Sequence, residues 1–141
     1  MKYDDTSWHY DGDFPQHLSK KNAATHIGMF LKWIIENDFI SEYYKIKYDE
    51  EIALVNQNKI TGAQFLIQYC DEKLTADEIN NYIKPFVDFY YEEKYLEDYC
   101  IHLANAIDKD DSIYTVKDTT KNYNTIKKAV SDRYQQWQLN Q

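Results

Sequence analysis

The chain predicts a single, mostly α-helical domain of about six helices, with a short hairpin or loop at its N-terminus. Three observations predict it. Apolar residues recur at helical spacing over several segments, and capping residues stand in front of most of them. Proline and glycine together number only five in 141 residues, and 43% of the chain is hydrophobic, which argues against wholesale disorder. A chain of this length supports one core and buries about two thirds of its unfolded surface. The expected division is one domain over 1–141, with an aromatic and acidic segment at 1–24 packed on a helical body at 25–138.

In residues 1–24, Asp11-Gly12 is a turn dipeptide of the hairpin type, with Trp8 and Tyr10 before it and Phe14-Pro15 after it. Residues 25–39 read as the central helix, because Ile27, Phe30, Leu31, Ile34 and Ile35 cover most of its circumference. Ser41 is placed to cap a second helix carrying Tyr44, Tyr48, Ile52 and Val55 inward. Thr61-x-x-Gln64 and Thr75-x-x-Glu78 are two capping boxes, predicting one helix with Phe65, Leu66, Tyr69 and Cys70 and a short one with Ile79, Tyr82 and Ile83. Pro85 disfavours helix at Lys84 and starts a new helix over roughly 85–106, with Phe86, Phe89, Leu96, Cys100, Leu103 and Ile107 inward. Ile113, Tyr114 and Val116 suggest a short strand beside Trp8, and Asp118 is placed to cap a last helix bearing Tyr123, Ile126, Val130, Tyr134 and Trp137.

Charge narrows the function. Acidic residues outnumber basic ones 24 to 16, a net of −8, which disfavours nucleic acid and anionic membrane as partners. Fourteen tyrosines accompany that charge, and exposed tyrosine is favoured at protein contacts. Fifteen of the sixteen basic residues are lysine, and Asn and Ile are abundant; the bias of an AT-rich genome therefore accounts for part of the tyrosine excess. Cys70 and Cys100 have no zinc-like spacing and read as buried free thiols facing the core, with a lone disulfide as the alternative. The opening residues lack the apolar stretch of a signal peptide, and no run nears the roughly 20 apolar residues of a membrane span, so a cytoplasmic protein is expected.

Between Asp71 and Asp98 stand nine carboxylates and three lysines, a local net of −6. Asp88 and Glu92, and Glu93 and Glu97, are like charges one helical turn apart, which destabilise an isolated helix by about 0.2–0.5 kcal/mol per pair. With Asp98 and the tyrosine row Tyr91, Tyr95 and Tyr99, they make up the first candidate surface, a docking face for a basic protein. A solvated helix face is the plainer account of the same residues, and a carboxylate metal site is a third. The second candidate is the N-terminal group Trp8, His9, Tyr10, Asp11 and Asp13. His9, Asp11 and Asp13 alternate as metal ligands on a strand would, but Gly12 interrupts them and the oxygen ligands of a calcium loop are missing. His26 and His102 lack an H-E-x-x-H partner, and no nucleophile elbow or phosphate loop is present, so neither a metal, a cofactor nor a catalytic residue is expected.

The opening KYDDTSWHYDGDFP, followed by ATHIGMFLKW at 24–33, CDEKLT at 70–75 and YYEEKYLEDY at 90–99, resembles a family of small uncharacterised bacterial proteins that open K-Y-D-D-x-S-W-H-Y-x-x-D-F-P. Such families often resemble immunity proteins of toxin systems: small, acidic, cytosolic and dedicated to one partner. The resemblance implies a protein that binds a cognate toxin domain and occludes its active or substrate-binding surface. The alternatives are a small enzyme or metal-binding protein using the N-terminal His/Asp cluster with His26, and a housekeeping interaction module.

Overall fold

The computed structural model describes residues 1–11, 14–108 and 112–141. The chain begins with strand β1 (Lys2–Asp5), which pairs antiparallel with β2 (Lys73–Thr75), Asp4 opposite Leu74 and Asp5 opposite Lys73. The N-terminal strand pairing is thus made with a segment some seventy residues away rather than across Asp11-Gly12. Trp8 and Tyr10, expected on a hairpin or aromatic-anchored loop with Trp8 turned to the core, instead lie on a short helix, α1 (Thr6–Tyr10), where Trp8 is exposed. Asp5 explains this: its carboxylate accepts from the Ser7 N–H at 2.9 Å and from the Ser7 hydroxyl at 2.8 Å, capping a helix start. Thr6 fixes the junction from the other side, donating from both N–H and hydroxyl to the Glu72 carbonyl.

A 3₁₀ turn (Lys20–Ala24), capped by Ser19, feeds α2 (Thr25–Glu36). From Thr25 to Ile35 every residue of α2 is buried, as its all-round apolar pattern predicts. It packs against α4 (Asp49–Asn56), α5 (Gly62–Tyr69) and α8 (Thr120–Leu139). At the α2–α5 crossing two glycines meet, and a Cβ on Gly28 would lie 2.2 Å from the Ala63 nitrogen. The stretch after Ser41 is two helices, α3 (Glu42–Lys47) and α4, hinged at Tyr48. The Thr61–Gln64 capping box forms in both directions and opens α5.

The second capping box is only half made, and no helix follows it: the Thr75 hydroxyl oxygen accepts from the Asp77 N–H, not from that of Glu78. Glu78 accepts from the Thr75 N–H at 2.6 Å and from the Thr75 hydroxyl at 3.1 Å, but the following residues run as turns, and Ile79 bridges Ile40. Tertiary pairing there outweighs a local helix signal. The helix expected over 85–106 is likewise divided, into α6 (Lys84–Tyr90), a π turn (Tyr91–Tyr95) and α7 (Leu96–His102). The π turn adds a residue per turn and rotates the faces. Tyr90, Tyr91, Tyr95 and Tyr99 therefore point into the core, while Phe89 and Leu96, expected inside, are exposed.

Ile113–Thr115 is a 3₁₀ turn rather than a strand, and Thr119, one residue after the expected Asp118, caps α8. Tyr123, Ile126 and Val130 of α8 are buried, with Tyr134 and Trp137 packed at the edge of the core. Trp33 and Phe30 sit at the centre of one continuous hydrophobic cluster. Cys70 is buried as expected, but Cys100 is only half-buried, and both are free thiols. Among the described residues no helix is long and apolar enough to cross a membrane.

Candidate functional site

Three elements bring polar side chains to one point. Asp4 is buried on β1, His9 follows on α1, and His26 occupies the fully buried start of α2. His9 Nε2 lies 2.7 Å from Asp4 Oδ1 and 3.2 Å from His26 Nε2, which in turn lies 3.4 Å from Asp4 Oδ2. Among the described residues this is the one group of three or more His, Cys, Asp or Glu whose ligand atoms all fall within 4.8 Å of one another.

A second ring of contacts holds the trio. The Tyr114 hydroxyl is 2.7 Å from His9 Nδ1, the Tyr91 hydroxyl donates to Asp4 Oδ2 at 2.6 Å, and the Asp5 N–H donates to Asp4 Oδ1 at 2.8 Å. Tyr95 reaches the same place from the π turn, its hydroxyl donating to the His26 carbonyl. Burial acts to raise the Asp4 pKa, but hydrogen bonds from His26 and His9 outweigh it and hold the carboxyl well below its usual range. Burial lowers the His26 pKa against the pull of Asp4, favouring a neutral ring with a free lone pair. An ionised carboxylate beside imidazole nitrogens can hold a cation or relay a proton.

The cluster is not sealed. A cavity of about 230 Å³ reaches it, with Asp4, His9, His26, Tyr3, Tyr91 and Tyr95 along its wall and Trp8, Glu92 and Leu96 as its exposed members. A larger cavity of about 650 Å³ is lined by Lys21, Asn22, Thr25, Ala63, Gln64, Ile67, Gln68, Lys117 and Asp118, and none of the three clustered groups borders it.

The two surfaces expected from the sequence thus meet at one cavity. Trp8, 54% exposed, and half-buried His9 stand on it; Tyr10 lies nearby on α1 under the Lys20 ammonium, and Asp11 is exposed and outside the cluster. Asp13 falls outside the described residues. Of the acidic helix, Glu92, Glu93 and Glu97 are exposed, as is Asp88, which pairs with Lys84 at 2.8 Å and accepts from Tyr3. Tyr91, Tyr95 and Tyr99 are corrections to that surface: they are core residues and cannot serve as accessible anchors. Asp98 is a fourth correction. Its buried carboxylate accepts from Arg133 Nε at 2.9 Å and Nη2 at 3.0 Å and from the Tyr90 hydroxyl at 2.7 Å.

Asp4 is not among the residues the sequence singles out, and His26 stands there only as an adjunct to the N-terminal cluster. Both lie in the segments KYDDTSWHY and ATHIGMF that carry the family resemblance, and no ligand spacing links them.

A family profile described as a domain of unknown function (DUF7832) matches residues 2–116. The chain belongs to this family. Asp4, His9, His26, Tyr91 and Tyr114 all fall within the matched residues, whereas α8 with Arg133 lies beyond them. No curated protein and no solved structure matches the chain.

Proposed function

We propose that this protein is an immunity-type binding protein that neutralises a toxin domain by covering its active or substrate-binding surface. The observation that carries the reading is the shared cavity: Trp8 from the N-terminal motif and Glu92 and Leu96 from the acidic helix stand on one face. Trp8 and Leu96 are exposed apolar side chains, and Glu92, Glu93 and Glu97 are exposed carboxylates close by in the chain. An apolar anchor flanked by charge of one sign suits a partner that is basic at the contact. The net charge of −8 favours such a partner over nucleic acid.

The mechanism is occlusion. Carboxylates steer the encounter with lysine and arginine side chains of the toxin domain, and Trp8 supplies a rigid apolar contact that slows release.

The test is growth rescue. Cells expressing a toxin domain encoded beside this protein's gene should survive when the wild-type chain is co-expressed. They should lose protection when Trp8→Ala is combined with Glu92→Lys in a variant that still folds. Full protection by that variant, or no protection by the wild type against any neighbouring domain, contradicts the reading.

A further inference from the structure

We propose that Asp4, His9 and His26 form a binding site for a divalent first-row transition metal of the zinc class. The inference goes beyond partner docking and does not depend on it.

Proton bookkeeping carries the argument. His9 Nε2 contacts both Asp4 Oδ1 and His26 Nε2, and His26 Nε2 contacts Asp4 Oδ2. Each ring nitrogen offers either one N–H or one lone pair in that direction. With the proton on His9 Nε2, the His26 lone pair faces a carboxylate oxygen. With the proton on His26 Nε2, the His9 lone pair faces the carboxylate at 2.7 Å. With both protonated, two N–H groups oppose each other across 3.2 Å. No assignment makes all three contacts favourable, whereas a cation bound by two lone pairs and one carboxylate does.

The dimensions are close to those of a metal site. Ligands bonded to zinc at 2.0–2.2 Å stand about 2.8–3.1 Å apart at octahedral angles and about 3.3–3.6 Å apart at tetrahedral ones. Contacts of 3.2 and 3.4 Å fall within that span, and the 2.7 Å contact lies just below it. Two imidazoles and one carboxylate select borderline cations over calcium or magnesium, which prefer all-oxygen sites.

The surroundings match what a metal-binding histidine needs. The Tyr114 hydroxyl can accept from His9 Nδ1–H, which leaves the Nε2 lone pair directed at the metal, and Tyr91 orients the Asp4 carboxylate. The cavity bordered by Trp8 supplies an entry path and leaves a further coordination position for water or a ligand.

The full chain, treated with a chelator and dialysed, is titrated with zinc(II) and with cobalt(II) by calorimetry and visible absorption. The wild type should take up one equivalent of either metal, and cobalt should give ligand-field bands. His9→Ala should weaken binding at least about tenfold and abolish the bands, while His102→Ala, altered at an exposed histidine, should behave as wild type. Tyr114→Phe should weaken binding less than His9→Ala. If His9→Ala fails to fold by circular dichroism, imidazole nitrogen NMR of the wild type decides: zinc should shift Nε2 of His9 and His26 together. Absence of saturable binding by the wild type overturns the proposal. So does equal binding by folded His9→Ala, or zinc that moves only other histidines.

Discussion

The Tyr91 hydroxyl and Asp4 Oδ2 are joined by a 2.6 Å hydrogen bond between two buried residues 87 positions apart. That bond ties the N-terminal strand to the π turn, and so ties one expected surface to the other. Because the acceptor is an ionised carboxylate with little solvent, the bond is of the stronger kind. Tyr91→Phe should lower stability by about 1.5–3 kcal/mol in urea unfolding and loosen β1 from the helical body. An unchanged midpoint would show that His9, His26 and the Asp5 N–H hold Asp4 without Tyr91.

Gly28 and Gly62 set the distance between α2 and α5. A Cβ on Gly62 would lie 1.8 Å from the Gly28 carbonyl oxygen, so either alanine forces backbone against backbone. Overpacking of this sort costs about 1–3 kcal/mol, occasionally more. Gly62→Ala should therefore melt well below wild type, although alanine is the better helix former. A variant that melts at the wild-type temperature contradicts the close crossing.

Glu78 predicts a stability loss between weak acid and weak base. Burial pushes its pKa up to about 7, against the opposing hydrogen bonds from Thr75 and Tyr44. A carboxyl raised on folding contributes its full stability below its unfolded value and loses it as pH rises through the folded value. From pH 5 to 8 the wild type should lose about 2–3 kcal/mol on this account. Asp4 and Asp98, both lowered, act in the opposite sense and only in stronger acid. Glu78→Gln keeps an acceptor for the Thr75 N–H, so its stability should stay nearly flat over that range. Parallel curves for variant and wild type would refute the assignment.

The two thiols should separate in reactivity. Burial raises both pKa values, strongly for Cys70 and less for half-exposed Cys100. Labelling of the native protein should modify Cys100 slowly and Cys70 only after unfolding, giving two thiols in total. Rapid labelling of Cys70 would contradict its place in the core.

The helical class was legible because α2, α5 and α8 carry their own signals: an all-round apolar pattern, a reciprocal capping box, and a regular inward row from Tyr123 to Trp137. The sequence misled where tertiary contacts overrule local ones. Thr75 and Glu78 form only half of their box, Ile79 is drawn to Ile40, and no helix follows. The π turn at 91–95 leaves no periodic trace, so Phe89 and Leu96 were counted inside and the tyrosines outside. Tyrosine invited that error, because its ring buries well once its hydroxyl finds a partner such as Asp4, Asp98 or the His26 carbonyl. The Asp4–His9–His26 cluster was hidden for a different reason. It is assembled from a strand, a five-residue helix and the start of α2, and no spacing rule spans those elements.

The docking face proposed above, built from the N-terminal motif and the acidic helix, is tested most directly by association and dissociation rates against a toxin domain encoded beside this protein's gene, using Trp8→Ala and the triple charge reversal of Glu92, Glu93 and Glu97 to Lys. On that proposal Trp8→Ala should speed dissociation by about tenfold or more, with association little changed. The charge reversal should slow association and flatten its dependence on salt. Wild-type rates for both folded variants would place the docking face elsewhere on the molecule.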